Sequence, residues 1–565
     1  MNKRVLLGMT LMASLAFYSC TKEIVIVQEG GEGGIESPTA QDGQVLTLQV
    51  ANSGDGLTTR AGRPLLSSQA KQDINTIVLY VVDGSNKKVV LKKTIGPDEW
   101  ANALDYSNTS AHGKQLQITF RASDKQKLTA GDYTIYAVGY KTETAAATSY
   151  KVISDADFGV EGTTVPTTVG QVGANATLAA DKFSAQLAKT YETSIIPADE
   201  IFAGFIEVTA TSDGYLKKKD DSGNTKVVPA LVLNRQVAGV TGYFTNLPAK
   251  VGTQIPAKIR LVASGKSNKV HFTSMLPGET DNTTNTSVES VKNVVNGSWS
   301  GSAAVAAEKG NYWDNSKEGY IVYEIALSEF FPQLNEKYPD SDPERNYNFA
   351  DLDLDGDRFV GYKDAQAWVY NGKDNIPGNF TNWSQDIQGG KTIGSSGKTT
   401  QKLSTFWKNP NDKTQTLVAG SVFAGEFIIP FLQKTGYNTF ELQLLDKDDN
   451  ILKNWNVQVD KRVENSGGSL AEGITGGSWS PDASTFVYNV YRNHLYSLGL
   501  KTTNIEGGED PDPDKPEKPV DPKPNPDPDE GGENPEDQPE DLSKGQDLLL
   551  NVNDNWEIIH QMGID

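Results

Sequence analysis

Gly131-Asp132-Tyr133-Thr134-Ile135-Tyr136-Ala137-Val138 is the stretch on which the fold turns. A Gly-Asp turn opens it, and Tyr133–Val138 is rich in aromatic and β-branched residues, which suit a pleated, half-buried strand. Upstream, Leu116, Ile118 and Phe120 recur at period two. Leu46, Leu48 and Val50 alternate with Val45, Thr47 and Gln49. Further strand-like segments are Ile77–Val82, Ile201–Val208, Val228–Leu233, Phe440–Leu445 and Trp455–Val459. Helical signals are few: Ala185–Tyr191 is brief, and Ser328–Tyr338 is interrupted by Pro332. Many short strands between Gly/Asn/Asp turns predict an all-β chain, and its length suits two β-sandwich domains.

Composition narrows the function. Across 565 residues, 73 Asp+Glu outweigh 52 Lys+Arg for a formal charge of −21, which repels the phosphates of nucleic acid. One cysteine excludes a disulfide-stapled fold. That residue, Cys20, stands just after Ser19 at the end of an apolar run, Val5–Ala16, which comes after Lys3 and Arg4. This order reads as an export signal whose Cys is placed for lipidation, as in bacterial lipoprotein signals. The acidic, Gly-rich stretch from Gln28 to Gly43 reads as a tether.

The other end carries most of the charge. Residues 506–541 hold 15 acidic residues, 3 lysines and 10 of the 26 prolines, so they cannot bury a core and favour extended polyproline II. At about 3.1 Å per residue this spacer reaches on the order of 100 Å. Beyond it, the even positions from Leu548 to Ile564 are apolar in seven of nine places: Leu548, Leu550, Val552, Trp556, Ile558, Met562 and Ile564. The odd positions are apolar in two of nine. Such a one-faced strand needs a groove, on its own domain or on another molecule. Burying seven such side chains is worth roughly 10–20 kcal/mol before ordering costs. Because the spacer offers no core contacts, the sequence predicts that a chain ending before Leu548 folds as a monomer.

A groove is suggested near the other terminus. Thr58-Thr59-Arg60-Ala61-Gly62 is a polar, Gly-flanked loop just beyond the strand Leu46–Val50. Cleavage between Arg60 and Ala61 would free that strand with the lipid anchor. If it is an edge strand, its loss bares unpaired N–H and C=O groups and an open core.

Taken together these segments resemble the fimbrillins, shaft subunits of the type V pili of Bacteroidales-type bacteria. The resemblance rests on Cys20-Thr21-Lys22-Glu23, Thr59-Arg60-Ala61, the Gly131–Val138 segment and Leu233-Asn234-Arg235-Gln236-Val237-Ala238. It also rests on Val490-Tyr491-Arg492-Asn493 with Tyr496, Leu498 and Leu500, and on the Asp/Pro spacer with its terminal strand. It implies two transthyretin-like β-sandwiches and a lipoprotein held at the outer membrane during export. An Arg-specific extracellular protease then removes the first strand, and donor-strand exchange takes place with other copies of the chain and related pilus subunits. The product is an extracellular fimbrium that supports adhesion and biofilm formation through an unidentified host or bacterial receptor. In this division, 1–20 is the signal, 21–60 the propeptide, 61–228 and 229–505 the two sandwiches, 506–541 the spacer and 542–565 the donor strand.

One segment departs from the family pattern. Asp353, Asp355, Asp357 and Asp364 occupy positions 1, 3, 5 and 12 of an EF-hand-like loop, with the Phe359 carbonyl at 7. Clustered hard oxygens suit a structural Ca²⁺ ordering a helical insertion around 325–370, although Arg358 stands where Gly is usual. The same loop in the register from Asp351 places Gly356 at 6 but Tyr362 at 12. No catalytic constellation is visible: His112, His271, His494 and His560 are scattered, and no nucleophile or phosphate-loop motif occurs, so an enzyme is not expected. Two alternatives accompany the shaft reading. One is a surface lipoprotein that binds glycans through aromatics such as Trp313, Trp368, Trp383 and Trp407; the other is a tip or anchor subunit of the same pilus.

Overall fold

The computed structural model describes residues 44–52, 74–108, 111–142, 158–186, 200–219, 228–248, 251–265, 267, 269–273, 295–298, 320–330, 406–409, 412–418, 420–431, 438–459, 489–499, 539–543 and 548–553. The chain is all-β. Its strands in the first half are β1 (Gln44–Asn52), β2 (Thr76–Asp83), β3 (Val89–Ile95), β4 (Leu104–Asn108), β5 (Ala111–Phe120), β6 (Gly131–Tyr140), β7 (Ser184–Gln186), β8 (Phe202–Ala210), β9 (Leu216–Lys218) and β10 (Ala230–Arg235). Those in the second half are β11 (Ala238–Thr245), β12 (Lys258–Ala263), β13 (Lys269–His271), β14 (Gly297–Ser298), β15 (Tyr320–Ala326), β16 (Phe406–Asn409), β17 (Asp412–Val418), β18 (Val422–Ile428), β19 (Phe440–Leu445), β20 (Ile451–Val459), β21 (Leu495–Leu498), β22 (Glu540–Asp541) and β23 (Leu548–Asn553).

Hydrogen bonding links the first ten strands, β7 excepted, in the order β3-β2-β6-β8-β10-β1-β5-β4, with β9 on β8. The second half runs β15-β12-β19-β20-β23-β21-β11-β18, with β22 on β11. Each path folds into two layers because one strand changes partner along its length. Ala230–Leu233 of β10 pair with β1, and Asn234 and Arg235 pair with β8. In β20, residues up to Asn456 pair with β19, and Val457–Val459 pair with β23. Such sheet-switching strands make the corners of a sandwich. The first corner is tight: a Cβ on Gly204 would collide with the Val232 carbonyl oxygen.

The continuous apolar runs of β2 and β6 reflect burial on both faces. Ile77, Leu79, Val81, Ile135 and Ala137 enter the first core, shared with Leu46, Leu48 and Val50 of β1 and Leu116, Ile118 and Phe120 of β5. On the opposite face, Val78, Tyr80, Val82, Tyr136 and Val138 join a second core that extends into the other half of the chain. The segment 158–186 covers this face. Phe183 lies 4.9 Å from both Tyr136 and Phe272, ring centroid to centroid, so aromatic packing runs from the first half into the second. A three-stranded sheet, β14-β13-β7, adds backbone pairing across the same junction.

The sequence predicts a boundary at 228/229; the sheet pairing changes halves later, at Gln236-Val237, because β10 belongs to the first path. There the resemblance-bearing segment Leu233–Ala238 becomes a buried polar joint. Arg235 Nη1 lies 2.5 Å from Glu200 Oε1, both side chains being essentially inaccessible, and its guanidinium sits 5.0 Å over the Phe202 ring. The Gln236 backbone N–H donates to Ile201 O, and its side-chain amide donates to Asn234 O at 2.7 Å. Asn296 Nδ2 donates to Gln236 O and Oε1, and Arg492 Nη1 donates to the same Oε1 at 3.4 Å. His494 Nδ1 is 2.7 Å from the Arg492 carbonyl, which accepts, so that nitrogen carries the proton.

Removing one member of a buried ion pair leaves the other charge desolvated. Glu200→Ala is therefore expected to destabilise the chain by about 3–5 kcal/mol in urea unfolding, whereas Glu200→Leu combined with Arg235→Met recovers most of the loss. An unchanged midpoint in the single variant would show that the pair does not hold the joint.

Candidate functional site

The first and last strands among the described residues, β1 and β23, occupy equivalent seats. β1 runs antiparallel to β5 over nine residues, Gln44 opposite Phe120 through Asn52 opposite His112. On its other side it runs parallel to β10, with Thr47 opposite Ala230 through Val50 opposite Leu233. β23 runs antiparallel to β21, Leu498 opposite Leu550 through Leu495 opposite Asn553. Its other neighbour is β20, which it joins in parallel with Val457 opposite Leu548 through Val459 opposite Leu550. Each strand thus has one antiparallel and one parallel neighbour, and each lies beside the corner strand of its own half.

The sequence suggests that Leu46–Val50 lies at a sheet edge. It lies inside the sheet, because the parallel contact with β10 closes its second side. Among the described residues β1 alone ties the β4–β5 pair to β10. Leu46 and Leu48 are wholly buried and Val50 nearly so. Gln44 adds a polar lock that sequence reading missed. Its Nε2 donates to Leu128 O at 3.0 Å and its Oε1 accepts from Leu128 N at 2.7 Å, so the fully buried side chain copies a strand-to-strand bridge. A glutamine two residues before an alternating Leu-x-Leu gives no warning of this, since only the chain's return at Leu128 supplies the partner.

At the other end, of the two grooves open to the terminal strand, on its own domain or on another molecule, the structure seats its first residues on its own domain. Leu548 and Leu550 are buried in the second core, as is Leu542. Glu540 and Asp541 pair in parallel with Phe244 and Thr245 at the end of β11, and Leu542 N donates to Thr245 O at 3.0 Å. Asp541 Oδ1 accepts from Ser543 N and Oγ. The last residues assigned to the spacer are therefore already part of the sheet. Val552 faces Tyr496 in the register, and Trp556, Ile558, Met562 and Ile564 lie outside the described residues.

No family model matches the sequence, and no curated protein does. Several solved structures align with the chain at low similarity. A candidate cell adhesion protein from Parabacteroides distasonis aligns over 91% of this chain and 96% of its own at 8% identity, with a TM-score of 0.30. For a candidate adhesin from Bacteroides ovatus the coverage is 73% and 78%, the identity 10% and the TM-score 0.28. The fimbrial anchor protein Mfa2 from Porphyromonas gingivalis is covered over 62% of its length by 41% of this chain, at 13% identity and a TM-score of 0.20. At these values the case for function rests on the chain's own strands.

The remaining sequence-derived sites fall elsewhere. Cys20, Arg60, Ala61 and the loop bearing Asp353, Asp355, Asp357, Phe359 and Asp364 lie outside the described residues, as do Trp313, Trp368 and Trp383. Trp407 is on β16. Among the described residues no group of three or more His, Cys, Asp or Glu could hold a metal ion, and no helix is long and apolar enough to cross a membrane. His271 Nε2 lies 2.7 Å from Ser298 Oγ, bridging β13 and β14, and burial lowers its pKa.

Because Leu548 and Leu550 fill the second core, a chain ending at Asp547 is expected to lose about 3–6 kcal/mol, at roughly 1.5–3 per buried leucine. Urea unfolding and dye binding to the bared face would measure it; an unchanged midpoint would mean that the free chain does not use the seat.

Proposed function

We propose that this chain is a structural subunit of a cell-surface pilus, exported as a lipoprotein through Cys20, cut after Arg60 and polymerised by donor-strand exchange between copies. One observation carries the reading: β1 is an interior strand, and the segment that joins it to β2 contains Arg60. A cut there leaves β1 held by non-covalent contacts alone. Its departure opens a slot with unpaired backbone on two sides, β5 and β10, and an uncovered row of core residues. Buried backbone groups without partners cost free energy comparable to lost hydrogen bonds, so the slot is refilled when a matching strand is at hand. The terminal strand has the required length and alternation, and the acidic proline-rich spacer gives it reach. Shaft position, the protease, the outer-membrane stage and adhesion to a host or bacterial receptor belong to this reading as well. The Ca²⁺ loop at Asp353–Asp364 is its ordering element for the inserted segment, with no chemical role.

The seated β23 favours a second reading. A subunit that keeps its terminal strand in its own sheet donates nothing, as a tip subunit or a monomeric surface adhesin would. Treatment with an Arg-specific protease separates the two. Full-length protein is expected to form SDS-resistant ladders after cleavage, and Arg60→Ala protein to remain monomeric. Cleaved wild-type protein that stays monomeric at high concentration would overturn the shaft reading in favour of the second.

A further inference from the structure

The two seated strands carry the same message in sequence. Gly43-Gln44-Val45-Leu46-Thr47-Leu48-Gln49-Val50 aligns without a gap on Gly545-Gln546-Asp547-Leu548-Leu549-Leu550-Asn551-Val552, sharing Gly, Gln, both Leu and Val, with Gln49 matched by Asn551. The shared leucines are those that enter the cores: Leu46 and Leu48 in the first, Leu548 and Leu550 in the second. We propose that the terminal strand of a second copy enters the slot of β1 in one register. Leu548, Leu550 and Val552 replace Leu46, Leu48 and Val50, and Gln546 takes over the Gln44 lock on the Leu128 backbone. This rests on the polymer reading and adds to it the register and the residue that sets it.

Register is the point at issue because an apolar strand with period two fits equally well when shifted by two residues. Leu46, Leu48 and Val50 form a row that tolerates such a slip; the Gln44 lock does not. Leu128 N and O are buried partners that only an amide at one position satisfies together. A slip by two would leave both without partners, at the cost of buried, unsatisfied groups. Gln546 lies outside the described residues, and its assignment comes from the alignment. Asp547 is the poorer substitute, since it falls at Val45, which is buried.

The direction of exchange also has a structural basis. Among the described residues β23 has, in its own seat, three residue pairs with β20 and four with β21. In the first seat β1 has nine with β5 and four with β10. Among the described residues the first seat thus offers the longer ladder to an entering strand. Its old neighbours β20 and β21 are antiparallel to each other, since β23 is parallel to one and antiparallel to the other, so they can close directly.

The register places Asn551 of the entering strand opposite Gln115, as Gln49 is now. Directly opposed residues of an antiparallel pair are about 4.5–5.5 Å apart at Cα, within disulfide range, whereas a partner two residues along is roughly 7–8 Å away. Full-length protein carrying Gln115→Cys and Asn551→Cys, with Cys20→Ser, is therefore cleaved at Arg60 and oxidised. Covalent inter-subunit ladders are expected, with little cross-linking from the control pair Gln117→Cys and Asn551→Cys. In a background without cysteines, Gln546→Ala is expected to reduce the rate or yield of SDS-resistant ladders roughly tenfold, the loss of about one buried bidentate hydrogen-bond pair. Ladders that form normally but cross-link through Gln117, or that ignore Gln546→Ala, would overturn the register and leave polymerisation standing. Absence of ladders in every cleaved variant, wild type included, would overturn both.

Discussion

A strand in the interior of a sheet is obligatory in a way that an edge strand is not. Its two neighbours present backbone donors and acceptors, and its side chains close the core beneath, so an empty place costs on both counts. This chain fills two such places with segments near its ends. β1 closes the first path between β10 and β5, and β23 closes the second between β20 and β21. Neither path is continuous without its terminal strand.

Corner strands explain why both places are interior. β10 and β20 each begin with one partner and finish with another, bending a sheet into two layers. In each half the terminal strand pairs with the corner strand in parallel. Parallel pairing cannot be made by a tight hairpin and requires a long connection or a distant segment. Segments from the ends of the chain meet that requirement without threading, and they are also the segments that a single cut or a long spacer can release.

Between the halves, the joint is polar where a core would ordinarily be apolar. Glu200, Arg235, Gln236, Asn296, Arg492 and His494 are brought together from segments up to 294 residues apart in number, and they are buried. Hydrogen-bond geometry fixes their relative positions more narrowly than apolar packing does. The adjoining aromatic contacts of Tyr136, Phe183 and Phe272 carry the hydrophobic part of the same interface. The seats of β1 and β23 are therefore held in a framework that joins both halves, not in two independent modules on a string.

Local pattern determined the strands. Leu46-x-Leu-x-Val, Leu116-x-Ile-x-Phe and the run Tyr133–Val138 show their period and their turn residues within a few positions, and the all-β class is a consequence of them. The apolar face of Leu548 and Leu550 was legible for the same reason. Which neighbour each strand takes was not, because pairing is decided by residues far away in sequence: Gln44 finds Leu128, β1 finds Ala230–Leu233, and Leu548 finds Val457. Alternation marks a face and leaves its partner open. Only the closed sheets decided that β1 is interior, that Gln236 is the turning point between halves, and that the last strand lies in its own chain, since each depends on unpaired backbone that exists only once the rest has folded.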